Sequence, residues 1–350
     1  MRFALSDDQR LFDTMLRRFL AEQVTPARRL AAADGDGFDR DLWDGLVALG
    51  APALLAPETV GGLGGGCLDA ALMAEALGHA AAPVPSLGPL GLAPLLLAGQ
   101  AAPDIQAAWF PRLIDGSARM SVVSTAPDLA LRDGRLHGAL PVVPEGTTAT
   151  HLLIACESLG WAIVDLTLPE VRIAHRPALD PTRPPAAIHL DGAPAPIIAT
   201  GAWGRMEDVG RILVAADTLG AASAMLDAAV DYARIRVQFG RPIGSFQALK
   251  HLLAEMAALL EPCRAMVWMA AQRIDDGDPA AHIIACHTKA HVADVAREVA
   301  NAAIQAHGAI GFTHDLGLHL FFKRIAANRP AFGAPEQCRA WLARGDFQAI

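Results

Sequence analysis

Apolar residues recur at helical spacing towards both ends of the chain and at alternate positions in between. Ser6 is followed by Asp7, Asp8 and Gln9, the pattern of an N-cap with acidic first-turn residues and a capping-box partner. Leu11, Met15, Leu16, Phe19 and Leu20 then repeat along one helical face. An amphipathic helix is predicted to open the chain. Helical runs from Asp39 to Leu49 and from Leu68 to Leu77 stop at Gly50 and Gly78, glycine being the residue that a left-handed C-cap favours. Between them, APETVGGLGGG holds glycines that permit positive φ and close backbone approach. Leu87 to Ala102 is the most apolar segment. Pro89 and Pro94 interrupt it, and it falls short of the roughly 20 residues of a membrane span, so a buried helix pair is predicted there.

From about Met120 the pattern changes to short apolar or alternating runs separated by turns: SVVSTAP, GRLHGALPVV, THLLIAC, GWAIVDL, VRIAHRPAL and AAIHLDGAP. They predict a small antiparallel β domain. Helix returns near Met206, and Ala215, Ala216, Gly220, Ala221, Ala224 and Ala228 keep one of its faces small enough for a second helix to approach closely. Helical runs from Gln247 to Asp275, from Pro279 to Ala306 and from about Asp315 to Ala327 predict an antiparallel bundle. The fold class is therefore α+β: an N-terminal α domain over residues 1–117, a middle β domain over 118–202 and a C-terminal helical bundle over 203–350.

Composition narrows the function classes. The 350 residues are 53% hydrophobic, with a mean hydropathy of +0.29, which fits a well-buried globule and excludes a disordered chain. A net charge of −8 offers no basic field for nucleic acid, and no run of Lys or Arg suits an anionic membrane surface. The N-terminus lacks the basic and apolar regions of a signal peptide, and Cys67, Cys156, Cys263, Cys286 and Cys338 lack metal-ligand spacing. A cytoplasmic protein with reduced thiols is expected. His287 and His291 stand four apart on one predicted helix, but no recognised metal motif surrounds them, and no metal is expected.

Candidate chemistry concentrates in YARIRVQFGRPIGSFQALKHLLAEM, residues 232–256. Arg234, Arg236 and Arg241 fall within eight residues at the end of an apolar helical run, where Gly240 and Pro242 stop the helix before another begins near Ser245. Guanidinium groups this close repel one another and favour an anion, for which phosphate offers bidentate geometry. The helix macrodipole also draws cations to a C-terminus, so a solvated helix end stays open as an alternative.

The whole string resembles, without a gap, the C-terminal-domain motif of the acyl-CoA dehydrogenases, flavoproteins that oxidise the Cα–Cβ bond of acyl-CoA thioesters. The resemblance implies that Arg236, Phe239 and Gln247 contact the FAD of a neighbouring subunit, with Arg236 on its pyrophosphate. IQAHGAIGFTHDLGLHLFFKR, residues 304–324, is similar to the family's QxxGGxGF segment. This implies that Gln305, Gly308 and Ala309, the last in place of the second glycine, hold the adenine end of a partner's FAD. The order of α domain, β domain and bundle is also the one the family implies.

Two departures qualify the resemblance. Dehydrogenation needs a carboxylate to take the α-proton of the thioester while the flavin takes hydride from the β-carbon. The family places that Glu at one of two positions, and here they hold Gly210, before Arg211, and Phe332, before Gly333. Glu207 and Glu336 are neighbouring carboxylates, each of which also reads as a solvated helix-end group. The stretch SVVSTAPDLALRDGRLHGALPVV, shortened after Ser124 and Thr125, lacks the Gly, Trp and Asn with which relatives surround the flavin ring. Together these imply a subunit that contributes the adenosine and pyrophosphate side of a partner's FAD site without its own catalytic Glu. Its partner would be a homologous catalytic chain in a heterotetramer acting on acyl-CoA. A self-associating dehydrogenase with a relocated base, and a flavin-free structural or CoA-binding member, are the alternatives.

Overall fold

The computed structural model describes residues 4–124, 129–156, 160–199 and 204–345. In chain order the helices are α1 (Asp7–Gln23), α2 (Pro26–Asp34), α3 (Arg40–Ala48), α4 (Cys67–Ala80), α5 (Ala93–Gln100) and α6 (Pro103–Ile114). The strands β1 (Met120–Val123), β2 (Leu129–Arg132), β3 (Arg135–Val143), β4 (His151–Cys156), β5 (Gly160–Asp165), β6 (Val171–His175), β7 (Ala186–Pro194) and β8 (Ile197–Ala199) follow. Then come α7 (Gly204–Ile235), a short hairpin of β9 (Val237–Gln238) and β10 (Arg241–Pro242), α8 (Gln247–Asp275), α9 (Ala281–His307), α10 (Leu318–Asn328) and α11 (Pro335–Arg344). The chain divides into two compact units, one of residues up to 31, 71–82 and from 211 on, the other of residues 32–70 and 83–210.

The first unit is helical. Ser6 Oγ accepts from the Gln9 N–H at 3.1 Å and Gln9 Oε1 accepts from the Ser6 N–H at 3.0 Å, so the capping box forms as its sequence dictates. Leu16 and Leu20 of α1 are buried, whereas Leu11 and Met15 are exposed, so only part of the apolar stripe meets the core. α4 runs through Gly78 rather than ending there, and the chain turns instead at Ala81, whose φ is +43°. Gly78 serves a close crossing: a Cβ at that position would lie 2.1 Å from the Asp217 carbonyl oxygen on α7. The contact is reciprocal, because a Cβ on Gly220 would lie 2.0 Å from the Glu75 carbonyl oxygen on α4.

At the same crossing, the buried Asp217 carboxylate accepts from Arg324 Nη2 at 2.7 Å, from Arg324 Nε at 3.0 Å and from Asn328 Nδ2 at 2.6 Å. Arg324 Nη1 donates to the Ala82 carbonyl at 3.1 Å. α8 and α9 pack along each other, and α10 and α11 pack on α9. The bounds of α8 match the periodicity, while α11 is a helix whose extent the periodicity does not single out. α7 is long and apolar enough to cross a membrane by length and composition, but 78% of its most apolar window is buried within the fold, as a core helix requires.

The second unit holds two four-stranded sheets. One has the order β2-β3-β7-β6 and is antiparallel; the other has the order β1-β4-β5-β8, with β1 parallel to β4. The β unit is therefore mixed rather than wholly antiparallel, because the long segment between β1 and β4 contributes β2 and β3 to the other sheet before returning. Leu136, Leu140, Leu152, Ile154, Ile188 and Leu190 from both sheets share one core. Leu87 to Ala102 forms one π-turn, Gly88–Leu92, running directly into α5, not a helix pair. Its start is fixed by the buried Glu145 carboxylate, which accepts from the backbone N–H groups of Ser86, Leu87 and Gly88 at 2.8–3.1 Å.

The α4–α7 crossing makes a prediction of unusual sign. In an isolated helix Gly→Ala stabilises by about 1 kcal/mol, but Gly220→Ala here drives a methyl group into the Glu75 backbone. It is expected to destabilise by about 1–3 kcal/mol in urea unfolding, as overpacking does; a gain in stability would show that the helices separate freely.

Candidate functional site

The end of α7 and the corner after it carry the arginine cluster. β9 and β10 pair as Gln238↔Arg241 and Val237↔Pro242, joined by Phe239 and Gly240. Both turn residues have positive φ, +51° and +77°, as a two-residue type I′ hairpin requires. Glycine meets that demand at no steric cost, whereas a phenylalanine there is strained, at a cost on the order of 1–3 kcal/mol. The strain holds the Phe239 ring out at 92% exposure, its edge against Phe246 at a centroid distance of 6.1 Å.

The three arginines of the cluster differ in what they touch. Arg234 pairs with Asp231 at 3.2 Å, and the Arg241 guanidinium lies over the Phe246 ring at 4.2 Å. Arg236 is exposed, its backbone is held by Tyr232 and Ile243, and its guanidinium has no partner among the described residues. Gln247, the first residue of α8, is exposed on the same corner.

The second predicted string lies at the same end of the bundle. α9 ends at His307, whose ring stacks on Tyr232 at 4.7 Å, so the last turns of α7 and α9 are side by side. Gln305, Gly308 and Ala309 are exposed just beyond. Gly308 has φ +64° and ψ −143°, a region essentially closed to residues with a Cβ. Gly311 is needed for space, because a Cβ on it would lie 2.8 Å from the Ile304 carbonyl oxygen. Ala309 has ordinary backbone, so the methyl in place of the family's second glycine brings no strain of its own. A guanidinium without a partner among the described residues, an exposed aromatic ring and glycine-bared backbone thus gather at one end of the bundle, and they fit the phosphate and adenosine end of a dinucleotide.

Arg211, which follows Gly210 on α7, is fully buried and its Nε donates to the Phe332 carbonyl at 3.1 Å. Phe332 and Gly333 have φ of +55° and +100°, and a Cβ on Gly333 would lie 2.6 Å from the Trp341 ring. Arg211 lies over that same ring at 5.1 Å. Neither base position carries a carboxyl group. Glu207 is on the first turn of α7, and Glu336 is 68% exposed at the start of α11, paired with Arg329. A hydrogen bond from its own backbone N–H, with Arg329 beside it, holds the Glu336 carboxyl below its usual range, the opposite of what a general base needs. The shortened loop expected after Ser124 lies outside the described residues from Thr125 to Asp128.

Sequence reasoning missed the group that accompanies Arg211. Cys338 sits against Gly333, hydrogen-bonded to Cys286, and that bond together with Arg211 and Lys289 draws its thiol pKa down. Lys289 donates to the carbonyls of Asn328 and Arg329, and burial pushes its pKa down to about 8. No local motif marks this cluster, since its members come from three helices far apart in sequence.

The Acyl-CoA dehydrogenase, N-terminal domain, family matches residues 6–117, and the Acyl-CoA dehydrogenase, C-terminal domain, family matches residues 205–345. Over 339 residues, covering 95% of each chain, the protein is 32% identical to acyl-CoA dehydrogenase IpdE2 of Mycobacterium tuberculosis. Its fold is similar to that in the ChsE4-ChsE5 complex from the same organism, with a TM-score of 0.90 at 25% identity over the whole of both chains. It is also similar to the Tcur3481-Tcur3483 steroid ACAD, with a TM-score of 0.84 at 27% identity over 98% of each. With both terminal domains matched and a relative aligned over nearly its full length, the chain belongs to the acyl-CoA dehydrogenase family.

Proposed function

We propose that this chain is the cofactor-anchoring, base-free subunit of a heteromeric acyl-CoA dehydrogenase. It binds the adenosine and pyrophosphate of a partner's FAD through Arg236, Phe239, Gln247, Gln305, Gly308 and the backbone at Ala309, while the partner provides the carboxylate that removes the α-proton. The observation that carries this reading is the contrast within one chain. The Arg236 guanidinium has no partner among the described residues, whereas the base positions hold Gly210 and Phe332. FAD, when bound, supplies the two-electron acceptor for hydride. Likeness to a two-component complex and to a steroid ACAD supports an acyl-CoA with a bulky, steroid-derived acyl group. The five free cysteines suit a cytoplasmic setting.

Three outcomes are expected. Arg236→Ala should weaken FAD retention by the assembled complex roughly ten- to hundredfold, because a charge-assisted bond to phosphate is worth about 1.5–3 kcal/mol. Flavin occupancy measured by absorbance checks it, and unchanged occupancy contradicts the assignment of this corner. Glu207→Gln and Glu336→Gln should each leave the rate of flavin reduction within a few-fold in the complex. A loss of about 10²-fold or more, typical of deleting a general base, would establish a relocated base instead. The chain purified alone should be colourless and fail to reduce an electron acceptor with any acyl-CoA, and should bind flavin when co-expressed with its partner. Stoichiometric flavin in the lone chain, bleached by an acyl-CoA, would overturn the division of labour, and a colourless but folded complex would favour the flavin-free alternative.

A further inference from the structure

Away from the base positions, the helical unit contains a cleft of about 520 Å³, within the size range of small-molecule sites. Leu20, Val24, Ala224, Ala228, Leu318 and Phe321 give it apolar walls. Four polar side chains also line it, and they differ in how they are satisfied. Arg17 is paired with Asp13 and Glu75, and His79 with Asp227.

Arg29 has no such partner. It is 8% exposed, lies over the Phe321 ring at 4.5 Å and donates to the carbonyls of Ala80 at 2.9 Å and Val24 at 3.5 Å. Those carbonyls end α4 and cap α1, so two helix dipoles moderate the charge. No carboxylate faces Arg29 among the described residues, and its charged neighbour is another cation, Arg324. Burial and Arg324 together push the Arg29 pKa down to about 10, which leaves it charged at neutral pH.

His307 is the second observation. It is 5% exposed and lines the cleft, and its Nδ1 donates to the Ala303 carbonyl at 2.7 Å. Its Nε2 has no partner among the described residues. A buried cation that no carboxylate faces among the described residues, set against apolar walls, is complementary to a molecule with one anionic head and a compact apolar body.

We propose that this cleft is a binding site for an amphiphilic monocarboxylate, its carboxylate on Arg29 and its hydrocarbon against Leu20, Ala224, Leu318 and Phe321. The site shares none of the residues assigned to the flavin, Arg236, Phe239, Gln247, Gln305, Gly308 and Ala309, and neither Gly210 nor Phe332, so it stands whether or not the subunit assignment does.

The test uses the full chain, decanoate as probe and decan-1-ol as its uncharged counterpart, with binding followed by displacement of a fluorescent anilinonaphthalene sulfonate. Wild type should bind decanoate saturably, and Arg29→Met should weaken that binding roughly ten- to hundredfold, the span of a charge-assisted hydrogen bond. Decan-1-ol binding should change no more than about twofold, since hydrocarbon burial is untouched. Ala228→Phe fills the cleft with Arg29 in place and should abolish binding of both, which keeps the test decisive if Arg29→Met fails to fold. Absence of saturable decanoate binding, equal weakening of acid and alcohol by Arg29→Met, or undiminished binding in Ala228→Phe would each overturn the proposal. Displacement of the probe by ADP would overturn it too, assigning the cleft to the cofactor.

Discussion

The helical unit hangs on the Asp217–Arg324 ion pair, buried where α4 and α7 touch backbone to backbone. Taking two charges out of water costs several kcal/mol per ion, and the pair offsets that only with good geometry and every remaining hydrogen bond made. Here the geometry is bidentate, Asn328 fills the carboxylate's remaining acceptor site and Ala82 accepts the guanidinium's third contact. Such a network tolerates little displacement of its members. The glycines at 78 and 220 bring the α4 and α7 backbones together, and the pair then fixes α10 against both.

The consequence reaches the corner around Arg236. Asp217 and Arg236 are nineteen residues apart on and just beyond one uninterrupted helix, about 28 Å at 1.5 Å per residue. Lys289 ties α9 to the end of α10 through the Asn328 and Arg329 carbonyls, and the Tyr232–His307 stack joins the far ends of α7 and α9. The corner and the Gly308 turn therefore belong to one frame. The exposed Phe239 at its tip, with its positive φ, is the kind of backbone outlier that clusters at functional sites.

Much of this was legible from local pattern. The capping box at Ser6, the extent of α8 and the small face of α7 follow from spacing alone, because each is settled within a few turns of one helix. Arg236 and Gly308 were legible because they sit in long uninterrupted motifs. What spacing could not reveal is which partner a small face meets. Gly78 reads as a helix stop until the backbone of Asp217 is found against it. The parallel pairing of β1 with β4 was hidden for a related reason: alternation fixes which residues face the core, not the direction of a neighbour that arrives after two intervening strands. Arg29 and the Cys338 cluster depend on contacts between distant segments, and no motif announces them.

Arg211 and Phe332 sit in one packed cluster. With Gly210 and Phe332 where the resemblance would put a carboxylate, the fully buried Arg211 guanidinium donates to the Phe332 carbonyl, lies over the Trp341 ring and meets His282 Nδ1 at 3.5 Å. A second buried cation, Lys289, lies close enough to lower the pKa of the same thiol that Arg211 does. Beside these two cations Cys338 becomes more acidic, through its hydrogen bond with Cys286 and through Arg211 and Lys289. Lys289 meanwhile has its own pKa drawn down to about 8, so the lysine and the thiol move towards each other in proton affinity. Gly210 and Phe332 at these positions, and a guanidinium on Arg236 that meets no partner among the described residues, are the two observations on which the proposed subunit role rests.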